Sequence, residues 1–488
     1  MPEPSAGGLD AAVNAALAPL AKGLSALVFY EVDVFGAQLP LVVLWLVAGA
    51  LFFTLRFRFV NLRGFAEALR IVSGRREAAG GAGEVTHFQA LSTALSGTVG
   101  IGNIGGVAVA ISLGGPGAAL WLVVAGLLGM SSKFVECTLG VVYRRENRDG
   151  SVSGGPMYYL EHGLAERGWP KLGRGLGIFY AIGIVIGCLG IGNMFQSNQA
   201  FAQLLAVSGG EAGALSGRGW LVGMLLAVLV GSVIVGGIRS IARVTERIVP
   251  FMAGLYLAGC GLMLVMNAEA LPFAAAAILH GAFQPQAVAG GALGVMILGF
   301  QRAVFSNEAG LGSATIAHAA VRTSHAATEG LVALLEPFLD TVVICSATAL
   351  VIVTTLYYDP SFTQGLGGVE MTSAAFARNL SWSPLVVSLA ALLFALSTMI
   401  SWSYYGLKGW TYLVGEGRRR ALCFNLFFCI FVALGSMLKL EAILDFSDAL
   451  VFVLCVPNIL GLIWLSPVVE GELRSWREGR GPSSTGAA

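Results

Sequence analysis

Leu95-Ser96-Gly97-Thr98-Val99-Gly100-Ile101-Gly102-Asn103-Ile104-Gly105-Gly106 interrupts one long apolar stretch of this chain, and Gly299-Phe300-Gln301-Arg302-Ala303-Val304-Phe305-Ser306-Asn307-Glu308-Ala309-Gly310-Leu311-Gly312-Ser313 interrupts another. Each glycine costs a helix about 1 kcal/mol relative to alanine. Unpaired backbone at membrane depth is tolerated only where it faces protein or lines a cavity. A matched pair of interrupted spans points to the binding site of a transporter built from inverted repeats. Both stretches are therefore predicted as broken helices, at 95–106 and 299–313.

The rest of the sequence sets these interruptions in a membrane. Of 488 residues, 56% are hydrophobic and only 12% are charged, with a mean hydropathy of +0.78. Soluble proteins carry about 25% charged residues. The apolar residues fall in blocks of about 20, the length of a helix that crosses a bilayer. An all-α polytopic membrane protein is predicted, with eleven spans near 38–56, 88–113, 117–143, 177–206, 219–236, 248–267, 290–320, 330–356, 383–405, 421–438 and 446–467. The 7 cysteines lie in apolar blocks without a CxxC pair, which reads as reduced core thiols. Met1-Pro2-Glu3-Pro4 lacks the basic start of a cleavable signal peptide.

Lysine and arginine give the orientation. One set of loops holds Arg56, Arg58, Arg63, Arg144, Arg145, Arg239, Arg243, Arg418, Arg419, Arg420, Arg474 and Arg477, among others. The opposite set holds only Lys22, Arg218, Arg378 and Lys439. This places the N-terminus outside and the C-terminus in the cytoplasm, in the cell (inner) membrane. The two broken spans then run in opposite directions. Two five-span units of inverted topology follow, at 88–267 and 290–467, with an extra N-terminal span at 38–56. Residues 1–37 are expected to form an outer segment with an amphipathic helix near 9–29, and 468–488 a cytoplasmic tail with a disordered end. A lateral helix is expected at 271–289 and a flexible linker at Gly80-Gly81-Ala82-Gly83.

A broken helix offers amides at one side of the break and carbonyls at the other. Amides near Thr98, Gly100 and Gly102, backed by a helix N-terminus, suit a small carboxylate. Carbonyls of Ser96 and Val99 suit a hard cation such as sodium. Asn103 supplies both a donor and an acceptor. Charges at membrane depth need partners. Lys133 and Glu136 read as an ion pair. Glu308 and Asp340 read as braces that accept backbone hydrogen bonds at the second break. His318 and His325 read as solvated helix-end residues, with a proton relay as the alternative.

Thr93-Ala94-Leu95-Ser96-Gly97-Thr98-Val99-Gly100-Ile101-Gly102-Asn103 resembles the signature of the alanine or glycine:cation symporter family. So do Ala110-Ile111-Ser112-Leu113-Gly114-Gly115-Pro116-Gly117-Ala118, Lys133-Phe134-Val135-Glu136, Gly154-Gly155-Pro156-Met157-Tyr158-Tyr159, Phe305 to Ser313, and Trp402-Ser403-Tyr404-Tyr405-Gly406. Ile101 stands where the family pattern has threonine, and Thr315 where it has proline. The resemblance implies a leucine-transporter-like 5+5 inverted-repeat fold and sodium-coupled symport of alanine or glycine, D-alanine included. Carried over, it puts the substrate carboxylate at the Thr98–Gly102 amides and Asn103. Gln196 becomes a polar partner, and Phe305, Asn307, Ala309 and Gly310 line the pocket from the second broken helix. Thr398 and Trp402, four apart on one helix face, close it into a slot for one methyl group. Alternatives are a lipid-facing Trp402 and a helix–helix hydrogen bond at Gln196.

The expected sodium ligands are oxygens of Ser96, Val99, Phe394, Ser397 and Thr398, following the preference of hard cations for oxygen. Ser397 and Thr398 could instead bond their own helix backbone. The expected partners are a small neutral amino acid, the co-transported Na+ and the lipid bilayer. No organic cofactor, nucleic acid or obligatory protein partner is expected. The other classes weighed are a proton-coupled transporter of the same fold, using Glu308, Asp340 or His318, and a passive channel or membrane-embedded enzyme.

Overall fold

The computed structural model describes residues 9–34, 37–75, 80–283, 291–356, 368–437 and 441–479. Residues 1–8, the end of the lateral helix at 284–289, position 290, Lys439 and the tail at 480–488 lie outside the described residues. Among the described residues, six helices are long and apolar enough to cross a membrane: Ala118–Val142, Pro170–Val207, Gly237–Met266, Ala326–Thr355, Pro384–Val414 and Asp445–Arg477. The pair His87–Thr98 and Gly102–Gly114, bent by 55°, makes a seventh if taken as one span. Leu41–Arg56 and Gly219–Ile234 are apolar but shorter. The chain is thus a helical integral membrane protein. Among the described residues its strands are a short hairpin, Glu31–Val34 with Ala37–Pro40, and a two-residue pair, Arg145–Glu146 with Val152–Ser153.

The first broken helix starts on a capping box. The Thr86 hydroxyl accepts from the Gln89 amide at 3.2 Å, and the Gln89 side chain accepts from the Thr86 amide at 3.1 Å. The helix runs to Thr98, leaves helical geometry at Val99 (φ −72°, ψ 91°), and resumes as a π-helical turn at Gly102–Gly106. The break is therefore the short segment Val99–Ile101 within the wider interval expected. Helix His87–Thr98 packs against Gly237–Met266 and Pro384–Val414, the scaffold for the site.

The second break sits later than expected. Helix Gly291–Asn307 carries through Gln301, Arg302 and Phe305, and the chain unwinds only between Glu308 and Ala314 before a single turn at Thr315–His318. Polar residues are tolerated in the preceding helix because Arg302 and Phe305 face a cavity. The unwound turn needs left-handed backbone at Glu308 (φ 54°), Gly310 (φ 92°) and Gly312 (φ 87°). A Cβ on Gly312 would also stand 2.6 Å from Pro156 Cγ.

Residues 80–85 are no flexible linker. The Glu84 amide donates to the Ala320 carbonyl at 2.7 Å, and Val85 forms a parallel bridge with Val321. Gly81 and Gly83 are there for close approach, since a Cβ on either would meet the Thr323 or Val321 carbonyl oxygen at 2.2 Å. Arg144 fastens this strand pair. It donates to the carbonyls of Val321 and Ala82 at 2.6 Å, and to those of Ala319 and Thr323 at 3.2 Å. Burial pulls the Arg144 guanidinium below its ordinary pKa, so the four carbonyls offset a desolvated charge.

Gly312→Ala adds both left-handed strain and a clash, and should cost about 2–4 kcal/mol. The readout is the thermal unfolding midpoint of the purified protein in detergent, which should fall by several degrees. An unchanged midpoint would contradict the left-handed turn at this position.

Candidate functional site

A cavity of about 310 Å³ lies between the two breaks. Its wall takes Thr98, Gly100, Ile101 and Gly102 from the first break, and Gln196 and Phe195 from the helix after the π-turn Gly190–Met194. It takes Arg302, Phe305 and Glu308 from the second broken helix, and Thr398 and Trp402 from Pro384–Val414. Trp402 is buried, and its indole N–H donates to the Gly97 carbonyl at 3.3 Å. It does not face lipid. The ring can lie there because residue 192 is glycine, whose Cβ would stand 2.3 Å from Trp402 Cγ.

Asn103 is fully buried behind the wall, not on it. Its Oδ1 accepts from the Gly100 amide at 2.8 Å, and its Nδ2 donates to Asp340 Oδ1 at 2.6 Å. It therefore consumes one of the amides expected to meet a ligand, and holds the break open instead. Asn307, Ala309 and Gly310 also miss the cavity wall. Asn307 Oδ1 accepts from the Ala309 amide at 3.0 Å, and Asn458 donates to the Gly310 carbonyl at 2.8 Å.

Asp340 does brace the breaks, but through side-chain donors in place of the backbone bonds expected. Its second oxygen accepts from Ser306 Oγ and Thr341 Oγ1, each at 2.7 Å. One carboxyl group thus ties Asn103 of the first broken helix to Ser306 of the second. Glu308 likewise accepts from the Ser313 hydroxyl across the second break.

Two more expectations need correction. Lys133 pairs with Glu336 at 2.9 Å, while Glu136 accepts from Asn458 Nδ2 at 2.8 Å. His318 is not solvated: it is fully buried, with Nδ1 2.6 Å from Glu329 and Nε2 3.6 Å from Glu336. Glu329 also bonds His87. The chain His87–Glu329–His318–Glu336–Lys133 therefore links the start of the first broken helix to the end of the second.

Of the five expected cation ligands, Ser96, Phe394 and Ser397 lie within hydrogen-bond reach of one another. Ser96 Oγ donates to the Ser397 carbonyl at 2.7 Å, and Ser397 Oγ lies 3.0 Å from the Phe394 carbonyl and 3.5 Å from the Ser96 carbonyl. The Ser397 hydroxyl thus bonds its own helix, as weighed above. Thr398 does not. Among the described residues its buried hydroxyl has no hydrogen-bond partner, and neither has the buried Oε1 of Gln196. A Cβ placed on Gly100 would stand 3.2 Å from the first and 4.0 Å from the second. Two orphaned oxygens therefore face the backbone of the first break.

Sequence reasoning missed the charge at the other end of the cavity. Arg302 and Asp448 both line it, and among the described residues no ion pair within 4.0 Å joins them. An aspartate inside an apolar span was the available signal.

One family and three known proteins resemble this chain. A family model described as the sodium:alanine symporter family matches residues 25–485. The chain is 38% identical over 441 residues to the sodium/alanine symporter AgcS of Methanococcus maripaludis, covering 90% of this chain and 94% of that one. It is 32% identical over 440 residues to the probable sodium/glutamine symporter GlnT of Bacillus subtilis, covering 89% and 87%. In three dimensions it resembles MhsT, solved in complex with L-phenylalanine, with a TM-score of 0.55 and 16% identity over 82% of this chain and 99% of that chain. At that identity the likeness is one of fold, of the leucine-transporter type.

Asp340→Asn presents an amide to groups that donate, and should cost about 2–4 kcal/mol. Ser306→Ala removes one of the three donors and should cost about 1 kcal/mol. Thermal midpoints in detergent should rank in that order. Equal midpoints would remove Asp340 as the tie between the breaks.

Proposed function

The chain belongs to the sodium:alanine symporter family, and from that premise we propose that it imports a small neutral amino acid, alanine or glycine, together with sodium by alternating access. Membership makes it a cation-coupled amino acid symporter, a transporter and not an enzyme. The finer reading has eleven spans, two inverted five-span units and one extra N-terminal span. The protein lies in the cell (inner) membrane with its C-terminus in the cytoplasm.

One observation carries this reading: Thr398 Oγ1 and Gln196 Oε1 are buried, face the first break and have no partner among the described residues. An orphaned buried polar group costs about 1–3 kcal/mol. Two such oxygens together are best explained by a cationic visitor. We assign the substrate ammonium to Gln196 Oε1. Sodium goes to Thr398 with the Ser96, Val99 and Phe394 carbonyls and the Ser397 hydroxyl. The carboxylate meets the Ile101 and Gly102 amides, with Asn103 holding that backbone in place. No side-chain carboxylate belongs to this sodium set, so the substrate carboxylate completes the charge balance and each ligand favours the other.

The energetics suffice. One sodium with a zwitterion moves one charge, worth about 2.3 kcal/mol per 100 mV. A tenfold sodium gradient adds about 1.4 kcal/mol. Together they concentrate substrate several-hundredfold.

A second reading keeps the mechanism and enlarges the substrate. The cavity, at about 310 Å³, exceeds a one-methyl slot, and GlnT is named for glutamine. A glutamine-sized side chain would extend toward Arg302 and Asp448.

The test is alanine binding, followed by intrinsic fluorescence in sodium or in choline. Binding should require sodium. Thr398→Val should raise the half-saturating sodium concentration about tenfold, the effect of roughly 1.4 kcal/mol. Trp402→Ala should admit bulkier amino acids. Equal binding in choline, or a Thr398 variant with unaltered sodium dependence, would discard the sodium site.

A further inference from the structure

A second concavity, of about 330 Å³, lies away from the transport cavity, where Leu41–Arg56 ends beside the last turns of Cys455–Arg477. Five arginines line it: Arg56, Arg58, Arg63, Arg474 and Arg477. The carboxylates present are Glu470 and Glu478, and Phe57 and Leu473 are its buried apolar members.

The charges there do not balance. Glu470 is shared, with one oxygen 3.4 Å from Arg56 and the other 3.5 Å from Arg474. Arg58, Arg63 and Arg477 are exposed, and no ion pair is found for them among the described residues. Guanidinium groups gathered in one concavity repel each other and attract anions. Their planar forks match a phosphate geometrically.

The local backbone holds this arrangement under strain. Arg58 and Phe59 adopt φ of 52° and 57°, the left-handed region that L-residues avoid. That turn brings Arg58 and Arg63 into the same basin as Arg56. Phe57, the anchor between them, packs edge-on against Phe134 with ring centroids 5.4 Å apart. Strain kept in a packed turn marks a place with a use.

The surroundings identify the source of the phosphate. Leu55, Phe59 and Leu62, from the same segment as three of the arginines, are 56%, 49% and 63% exposed. Large apolar side chains beside unpaired arginines, at the ends of membrane helices, match the boundary between acyl chains and headgroups. We infer that this basin binds the phosphate of an anionic phospholipid, with its acyl chains along Leu55, Phe59 and Leu62. A basic pocket between helix ends on the arginine-rich side is suited to such a headgroup.

The experiment uses the full chain purified in detergent and offered equal amounts of phosphatidylglycerol and phosphatidylcholine. Lipid retained is counted by native mass spectrometry. Phosphatidylglycerol should be retained about tenfold or more over phosphatidylcholine. The combined substitution Arg58→Gln, Arg63→Gln and Arg477→Gln should abolish that preference. Millimolar inorganic phosphate should not displace the lipid. Equal retention of the two lipids by the native chain would overturn the inference without reliance on any variant. A folded triple variant with full preference would overturn it too. Displacement by inorganic phosphate alone would make the basin a free-anion site and remove the lipid.

Discussion

Everything about the transport cavity depends on how Asp340 ties together two helices that have been cut open. Its carboxyl group receives Asn103 from the first broken helix, Ser306 from the second, and its neighbour Thr341. Unwound backbone in a membrane has no water to satisfy it, so the breaks persist only where protein groups supply the missing partners. Asn103 serves twice, accepting from the Gly100 amide while donating to Asp340. Hydrogen bonds to a charged group contribute about 1.5–3 kcal/mol each. Desolvating the carboxylate costs several kcal/mol. The two nearly cancel, so the tie contributes geometry more than stability. It fixes the spacing of the breaks across which cation and amino acid are proposed to meet.

The charged groups on the cavity wall and those off it are arranged differently. The wall holds Arg302 and Asp448 apart, with no ion pair within 4.0 Å among the described residues. Off the cavity wall lies the buried chain His87–Glu329–His318–Glu336–Lys133. Alongside it, Arg144 grips four carbonyls of the strand pair. These contacts join the start of the first broken helix to the end of the second. Alternating access would require them to part as the Arg302–Asp448 end closes. Removing one partner of a buried ion pair is costly, so such a seal would open as a unit.

The membrane class and the existence of two breaks were legible because composition and glycine clustering are local properties. The exact site of the second break was not. Gln301 and Arg302 look like interruptions in sequence, yet both sit in helix, and Arg302 faces the cavity. Partners distant in sequence were the other failure. Lys133 was assigned to Glu136 by helical spacing, but its partner Glu336 lies 203 residues away. Asn103 was marked as a ligand because its amide offers both a donor and an acceptor, whereas its partner Asp340 lies 237 residues away. The glycines at 80–83 read as freedom and turned out to be close approach. Of the cavity wall, Thr98, Gly100 and Gly102 came from the geometry of a broken helix, and Gln196, Phe305, Thr398 and Trp402 from motif resemblance, while Asp448 was overlooked.

The central claim is that a sodium ion and an amino acid enter this cavity together. The most direct measurement is accumulation of radiolabelled alanine in proteoliposomes under an inward sodium gradient, an inward proton gradient, or neither. The account predicts concentrative uptake with sodium alone, blocked by excess unlabelled glycine. Uptake driven only by protons would contradict the sodium site at Thr398 and transfer the coupling to the buried carboxyl and imidazole groups at Glu308, Asp340 and His318.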